Sequence, residues 1–360
     1  MAADRSRRWS DRSIVKRRRC SVASVPDEVN TRVRARLRDL FERHRVVDAG
    51  RLDRFYDSER GYYSPEEAGE ERDHFAICLA SVDGELYCEG DHDRPFALQS
   101  ISKVFAYALA LADNRREDVL ARVGVEPSGD AFNSIVFDER YHRPYNPMVN
   151  AGALVTTDLV RGASGERKIE RLLGVMRACA GDSSLEINER TFARELRHAD
   201  RNRATAYLMR AEGMLDGNVE ELLALYLHQC SVQVTCAQLA VMGATLANGA
   251  VNPFTGERVL PRGGVRDLLS VMYTCGMYDA AGQWAYEVGV PAKSGVSGGI
   301  LAIVPGKLGI GVFSPGLDVY GNSVRGIAVC HEIATRLGVH VFAAGDEDAL
   351  LGPGTPASER

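Results

Sequence analysis

Two β-hairpins lie far apart in this chain, and the sequence between them has almost no strand character. The first covers residues 75–88 around an Asp83-Gly84 turn, and the second joins 300–305 to 308–313 through a Gly-Lys turn. Apolar residues at helical spacing dominate the middle of the chain. We therefore predict an α+β fold, in which N- and C-terminal strands form one antiparallel sheet flanked by helices, with a mostly helical subdomain inserted.

The predicted catalytic domain spans residues 25–343, with its sheet built from 75–90 and 299–343 and its helical subdomain from 110–290. The clearest helical stretches are 25–44, 148–160, 169–180, 219–230, 236–248 and 326–337. Residues 344–360 are rich in Gly, Pro and acidic side chains, and we predict a disordered tail there.

Composition narrows the class of protein. A chain of 360 residues with 45% hydrophobic residues and a net charge of −5 has ample material for a large core. It contains no apolar stretch of transmembrane length, and its N-terminus lacks the apolar segment of a signal peptide. The eight cysteines are scattered, and we expect Cys78, Cys179 and Cys230 to be buried free thiols. These features predict a reduced, cytoplasmic protein without a structural metal.

The first residues of the chain are strongly basic. Residues 1–20 carry eight lysines and arginines against two aspartates. Such an arm could bind nucleic acid or anionic lipid, in which case removing residues 1–24 would abolish a salt-sensitive association. Because the charge comes without structural periodicity, we favour a disordered leader over residues 1–24 that has no specific partner.

Ser100 and Lys103 carry the chemistry that the sequence predicts. A serine followed three residues later by a lysine, at the start of an apolar helix, places hydroxyl and amine on one face. Apolar neighbours such as Val104 and Phe105 would exclude water from the amine and favour its neutral form. A neutral Lys103 could accept the Ser100 proton, as in serine acyl-transfer enzymes.

A second element lies late in the chain, where Lys293-Ser-Gly resembles the K-T-G element that accompanies S-x-x-K in penicillin-recognising enzymes. The glycines that follow would let the backbone approach a ligand. An amide there and that of Ser100 would form an oxyanion hole. The Y-x-N element, Tyr320-Gly-Asn322, falls after Lys293, and this order argues against a β-lactamase.

Seven ordered blocks make the chain resemble the serine-dependent glutaminase family, whose fold is related to that of serine β-lactamases. The blocks are LQSISK (98–103), PYNPMVNAGA (144–153), DRN (200–202), CSVQVTC (230–236), ATLANG (244–249), CGMYD (275–279) and AKSGV (292–296). The resemblance extends from about Tyr63 to about Leu337.

The resemblance implies a role for each matching residue. Ser100 would be the nucleophile, Lys103 its activating base, and Tyr278 a proton relay to the leaving ammonia. The amides of Ser100 and Val296 would form the oxyanion hole. The remaining matches would hold the α-amino and α-carboxylate groups of the substrate: Tyr63, Gln99, Asn150, Glu195, Asn202 and Tyr226.

These residue types suit an amino-acid substrate, because Glu195 offers an anion for the ammonium and the Asn and Tyr side chains offer donors for the carboxylate. Without the resemblance, Asn150 and Asn202 would be helix caps, Glu195 a surface ion-pair partner and Tyr226 a core residue. Phe55 competes with Tyr63 for the position over the substrate. Whether Lys103 alone is the base, or shares the proton with Tyr278, stays open.

The prediction is a glutaminase that converts L-glutamine and water to L-glutamate and ammonia, with no metal or organic cofactor. The resemblance also implies a homodimer or homotetramer. One alternative is another Ser-Lys amidohydrolase acting on a different amide or a β-lactam. A second is a catalytically silent protein that binds glutamine or glutamate.

Overall fold

The structure is a computed structural model that describes residues 27–47, 51–52, 72–130 and 133–343. The predicted leader and tail, and the positions of Phe55 and Tyr63, lie outside these residues. The α-helices are α1 (Asp27–Arg45), α2 (Lys103–Asp113), α3 (Arg116–Arg122), α4 (Asn150–Asp158), α5 (Gly165–Ala180), α6 (Glu189–Arg197), α7 (Asp200–Ala211), α8 (Val219–Cys230), α9 (Cys236–Ala247), α10 (Arg262–Cys275), α11 (Ala281–Glu287) and α12 (Val324–Leu337). The strands are β1 (Arg51–Leu52), β2 (Ala76–Ser81), β3 (Leu86–Gly90), β4 (Phe96–Ala97), β5 (Gln233–Val234), β6 (Ala292–Ser294), β7 (Gly299–Val304), β8 (Leu308–Phe313) and β9 (Gly316–Leu317).

The central sheet has five antiparallel strands in the order β3-β2-β8-β7-β6. Both predicted hairpins are present, and β2 pairs with β8, so that Ile77 faces Val312 in the register. The sheet therefore joins strands from the two ends of the chain, and the predicted fold class is confirmed. The strand β6, which carries Lys293, forms one edge.

Successive side chains of a strand point to opposite faces of the sheet. Both sets are apolar here, so both faces are buried. Ala76, Cys78 and Leu301 belong to one core, in which α9 covers the sheet. Ile77 and Ile300 belong to the other, which the sheet shares with α1, α11 and α12. Among the described residues, no helix is both long and apolar enough to cross a membrane.

One cysteine prediction is wrong. Cys78, expected to be a free thiol, forms a disulfide with Cys88, while Cys179 and Cys230 are buried free thiols as predicted. Cys78 and Cys88 are direct neighbours in the register of β2 and β3, and their Cα atoms are 4.2 Å apart. That separation is typical of a non-hydrogen-bonded antiparallel pair, in which facing side chains approach most closely.

Helix α9 lies very close to the sheet because glycines remove side chains from the contact. A Cβ atom at Gly309 on β8 would collide with the α9 backbone at Ala240 and Ala244. Gly243 on α9 faces Gly309 in return, with only 2.9 Å between its built Cβ and the Gly309 Cα. The helix and the sheet therefore meet backbone to backbone.

A Gly309→Ala substitution should lower the free energy of unfolding by about 1–3 kcal/mol, because the added methyl must displace a backbone. Urea denaturation followed by circular dichroism measures this loss. Gly174→Ala in α5 is the matched control, since nothing lies within 4 Å of its built Cβ. That control should gain about 0.5–1 kcal/mol from the better helix propensity of alanine. Equal stability of the two variants would contradict the close contact.

Short elements position the start of α2 between the sheet and the helical subdomain. The strand β4 pairs with β5, and its Phe96 ring stacks on Phe313 of β8 with a centroid distance of 4.3 Å. The chain then forms a 3₁₀ turn over Gln99–Ser102 before α2 begins. The residue after β6, Gly295, packs against this turn at the Leu98 carbonyl. The two predicted catalytic elements are thus neighbours.

Candidate active site

Ser100 and Lys103 lie at a change of helix type. Ser100 belongs to the 3₁₀ turn, while Lys103 is the first residue of α2. The sequence predicted both residues at the start of one helix, but the serine lies in the turn that precedes it. Residues three apart eclipse one another in 3₁₀ geometry, which keeps the two side chains on the same side. Ser100 is 7% exposed and Lys103 is fully buried. The predicted exclusion of water from the amine is therefore present.

The buried Lys103 amine has hydrogen-bond partners within the protein. Its Nζ donates to Asn150 Oδ1 at 2.5 Å and to the Met148 carbonyl at 3.2 Å. Burial lowers the pKa of the amine to about 8, because desolvation penalises the charged form. About a tenth of Lys103 is therefore uncharged at pH 7, far more than for an unperturbed lysine.

Asn150, Asn202 and Tyr226 form one hydrogen-bonded group beside Lys103. Asn150 Nδ2 donates to Asn202 Oδ1 at 2.8 Å, and the Tyr226 hydroxyl is 3.4 Å from Asn150 Oδ1. Neither asparagine caps its helix, since Asn150 begins α4 after Val149 and Asn202 lies inside α7. Burial raises the pKa of the Tyr226 phenol well above its usual value, with Cys230, Glu195 and Tyr278 adding to the increase.

Glu195 and Gln99 form a second group. The Gln99 amide donates to Glu195 Oε1 at 2.7 Å, which links α6 to the residue that precedes Ser100. Gln99 has a φ of 50°, in the left-handed region that non-glycine residues rarely adopt. Glu195 is therefore a partner of the turn that carries Ser100, as well as lying among the arginines of α6.

Tyr278 and Val296 lie together on the sheet side of the site. Both are buried, and they share a small apolar cluster with Leu317 of β9. The Tyr278 hydroxyl donates to the Ser294 carbonyl at 3.0 Å, and Tyr278 also has a positive φ, of 53°. Val296 lies in the tight turn between β6 and β7, where Gly295 N donates to Gly299 O.

Two residues with contacts at this site had no predicted role. The Lys293 amine lies 4.1 Å from the centroid of the Tyr278 ring, and the Lys-Ser-Gly motif was the only sequence signal for it. Cys230 accepts a hydrogen bond from Ser102 at 3.6 Å. The sequence predicted only that Cys230 is a buried free thiol, and it gave no signal for this contact. Tyr63 and Phe55 lie outside the described residues.

Fold and site together define a class of protein. A buried serine and lysine at the start of a helix, against the edge of an antiparallel sheet, resemble the site of Ser-x-x-Lys acyl-transfer enzymes. The neighbouring Glu, Asn and Tyr side chains offer both an anion and neutral donors.

The chain is similar to known glutaminases over most of its length. The family model described as Glutaminase matches residues 60–342. The glutaminase of Trichormus variabilis is 56% identical over 281 residues, which cover 78% of this chain and 84% of that protein. The chain therefore belongs to the glutaminase family, as its sequence blocks predicted.

Solved structures agree. Mglu in its glutamate form is 40% identical, with a TM-score of 0.79 over 88% of this chain and 71% of that one. A probable glutaminase of Bacillus subtilis is 36% identical, with a TM-score of 0.77 over 86% of this chain and 98% of that one.

Proposed function

We propose that the protein hydrolyses L-glutamine to L-glutamate and ammonia through an acyl-enzyme on Ser100. The observation that carries this proposal is the 2.5 Å hydrogen bond between Lys103 Nζ and Asn150 Oδ1. It joins the predicted base to the residues predicted to hold an amino acid. Family membership and the names of the relatives support the same reaction.

In this mechanism Lys103 removes the Ser100 proton as the hydroxyl attacks the side-chain amide. A neutral amine has two N–H groups and one lone pair. The oxygens of Met148 and Asn150 can accept both N–H groups, and the lone pair would then accept the Ser100 proton. The lowered pKa supports this role, since a base must be uncharged to accept a proton.

Different side chains would bind the α-ammonium and the α-carboxylate of glutamine. Glu195 would bind the α-ammonium by charge, after exchanging its Gln99 partner for the substrate. Asn150, Asn202 and Tyr226, with Gln99, would donate to the α-carboxylate. Tyr63 would cover the substrate, with Phe55 as the alternative at this position.

On the sheet side, the amides of Ser100 and Val296 would stabilise the oxyanion. The Tyr278 hydroxyl would relay the proton that Lys103 took from Ser100 to the amide nitrogen, which must be protonated to leave as ammonia. Water then attacks the ester and releases glutamate. The resemblance further favours a homodimer or homotetramer, and a cytoplasmic location stays a prediction.

Ammonia release from L-glutamine by the purified protein tests the proposal, with L-asparagine run in parallel. We expect selective release from glutamine, because the acyl chain must span the distance from the amino-acid-binding group to Ser100. Calorimetric titration with L-glutamate is the second measurement. Glutamate binding without turnover of glutamine would overturn the proposal in favour of a silent binder. Turnover of another amide or of a β-lactam with glutamine ignored would favour a different Ser-Lys amidohydrolase.

A further inference from the structure

Lys293 is fully buried at the sheet edge, where the family-based set of catalytic and binding residues does not include it. Its Nζ donates to the Gly276 carbonyl at 3.0 Å and to the Ser294 carbonyl at 2.8 Å. The Ser294 carbonyl is also the acceptor of the Tyr278 hydroxyl. The Ser294 carbonyl oxygen thus accepts hydrogen bonds from both the lysine amine and the tyrosine hydroxyl.

The other acceptor fixes the backbone that carries Tyr278. Gly276 lies two residues before Tyr278, and a Cβ atom there would overlap the Ala292 carbonyl. The Gly276 carbonyl also accepts the Ser294 amide at 3.2 Å. The turn is therefore seated directly on β6, and Lys293 bridges the two segments from within the protein.

The protonation of Lys293 is consistent with this bridge. Burial lowers its pKa well below the usual value for lysine, and the charge on Lys103 lowers it further. An uncharged amine has two N–H donors, and two carbonyl oxygens lie at hydrogen-bonding distance. The bridge therefore does not require a buried charge.

We propose that Lys293 is a positioning residue for the reaction, which holds the Tyr278 hydroxyl in place by sharing the Ser294 carbonyl with it and by anchoring the preceding turn at Gly276. The inference rests on the proposed role of Tyr278 as a proton donor. The energetic reason is the backbone of Tyr278, whose positive φ costs of the order of 1–3 kcal/mol and persists only when neighbours hold it.

A double-mutant cycle tests the inference. Lys293→Met keeps the length of the side chain and removes the donors, and Tyr278→Phe removes only the hydroxyl. We expect Lys293→Met to lower kcat roughly 100-fold, the cost of misplacing a group by about 1 Å. The calorimetric Kd for L-glutamate should change less than about threefold, because the Lys293 amine bonds to Gly276 and Ser294, which are not among the residues predicted to hold the α-amino and α-carboxylate groups of glutamate. In the Tyr278→Phe background, Lys293→Met should lower kcat less than about threefold, since interacting residues are not additive.

Controls separate positioning from folding. Lys307→Met changes an exposed lysine in the turn between β7 and β8, and should keep wild-type kcat and thermal stability. Lys293→Arg keeps donors at the site and should recover part of the kcat lost in Lys293→Met. If methionine prevents folding, Lys293→Gln, whose polar side chain is one atom shorter, replaces it in the cycle.

The outcomes distinguish the two proposals. If Tyr278→Phe lowers kcat and the Lys293 substitution costs the same factor in both backgrounds, the positioning role is overturned while the proposed function stands. If Tyr278→Phe keeps wild-type kcat, the role of Tyr278 fails, and the inference about Lys293 fails with it. Loss of glutamate binding in Lys293→Met would also overturn the positioning role.

Discussion

A Ser100→Ala variant should release ammonia from L-glutamine at least about 10⁴-fold more slowly than the wild type, because the proposed acyl-enzyme forms on the hydroxyl that it lacks. The substitution removes one oxygen atom from a residue that is 7% exposed, and it leaves the 3₁₀ turn intact. Binding of L-glutamate should persist within a few-fold, since Asn150, Glu195 and their neighbours are unchanged. Ammonia release and calorimetry on the same sample measure both effects.

Ser102→Ala is the matched control for this variant. It makes the same change two residues along the chain, where the hydroxyl donates to the Cys230 thiol at 3.6 Å. We expect it to keep at least a third of wild-type kcat. If Ser100→Ala retained wild-type turnover, or if only Ser102→Ala lost it, Ser100 would not be the nucleophile.

The second large effect concerns Lys103. Lys103→Met should lower kcat/KM by about 10³–10⁴-fold, the upper part of the range for a general base. In the wild type, kcat/KM should rise about tenfold per pH unit below pH 8 and level off above it, because deprotonation creates the active form of an amine with a pKa of about 8.

Tyr278→Phe distinguishes the two groups that could accept the proton. If Lys103 is the base, this variant should keep the acidic limb near pH 8 while its plateau falls. Stopped-flow detection of the acylation step, together with the pH–rate profile, measures both quantities. Wild-type acylation in Lys103→Met, or loss of the acidic limb in Tyr278→Phe, would contradict the assignment of Lys103.

Local patterns were sufficient to predict much of the fold. The turn Asp83-Gly84 and the alternation around it identified the first hairpin, and the predicted helix 219–230 has the bounds of α8. The two-residue strands β4 and β5 were beyond such patterns, because their pairing is set by tertiary contacts between distant segments. Helix α10 was likewise not identified as a separate element.

In the site, too, contacts between residues close in sequence could be predicted, and contacts between distant segments could not. Ser100 and Lys103 lie three residues apart, so helical spacing alone predicted that their side chains share one side of the helix. The bond between Asn150 and Lys103, and that between Gln99 and Glu195, join residues distant in the chain, and only the resemblance placed these residues in one site. The disulfide was missed for a similar reason, since ten residues of separation do not reveal which cysteines face each other across a hairpin.

The positive φ angles at Gln99 and Tyr278 set a limit on how this protein could be made more robust. Among the described residues, only four non-glycine positions have such a backbone, and two of them flank the proposed reaction centre. Glycine at either position would relax the strained backbone while deleting a side chain that the proposed chemistry needs. Selection for thermal stability alone would therefore favour glycine at Gln99 or Tyr278, whereas selection for turnover would remove it. Stabilising substitutions are better sought at positions such as Gly174, which are remote from the site.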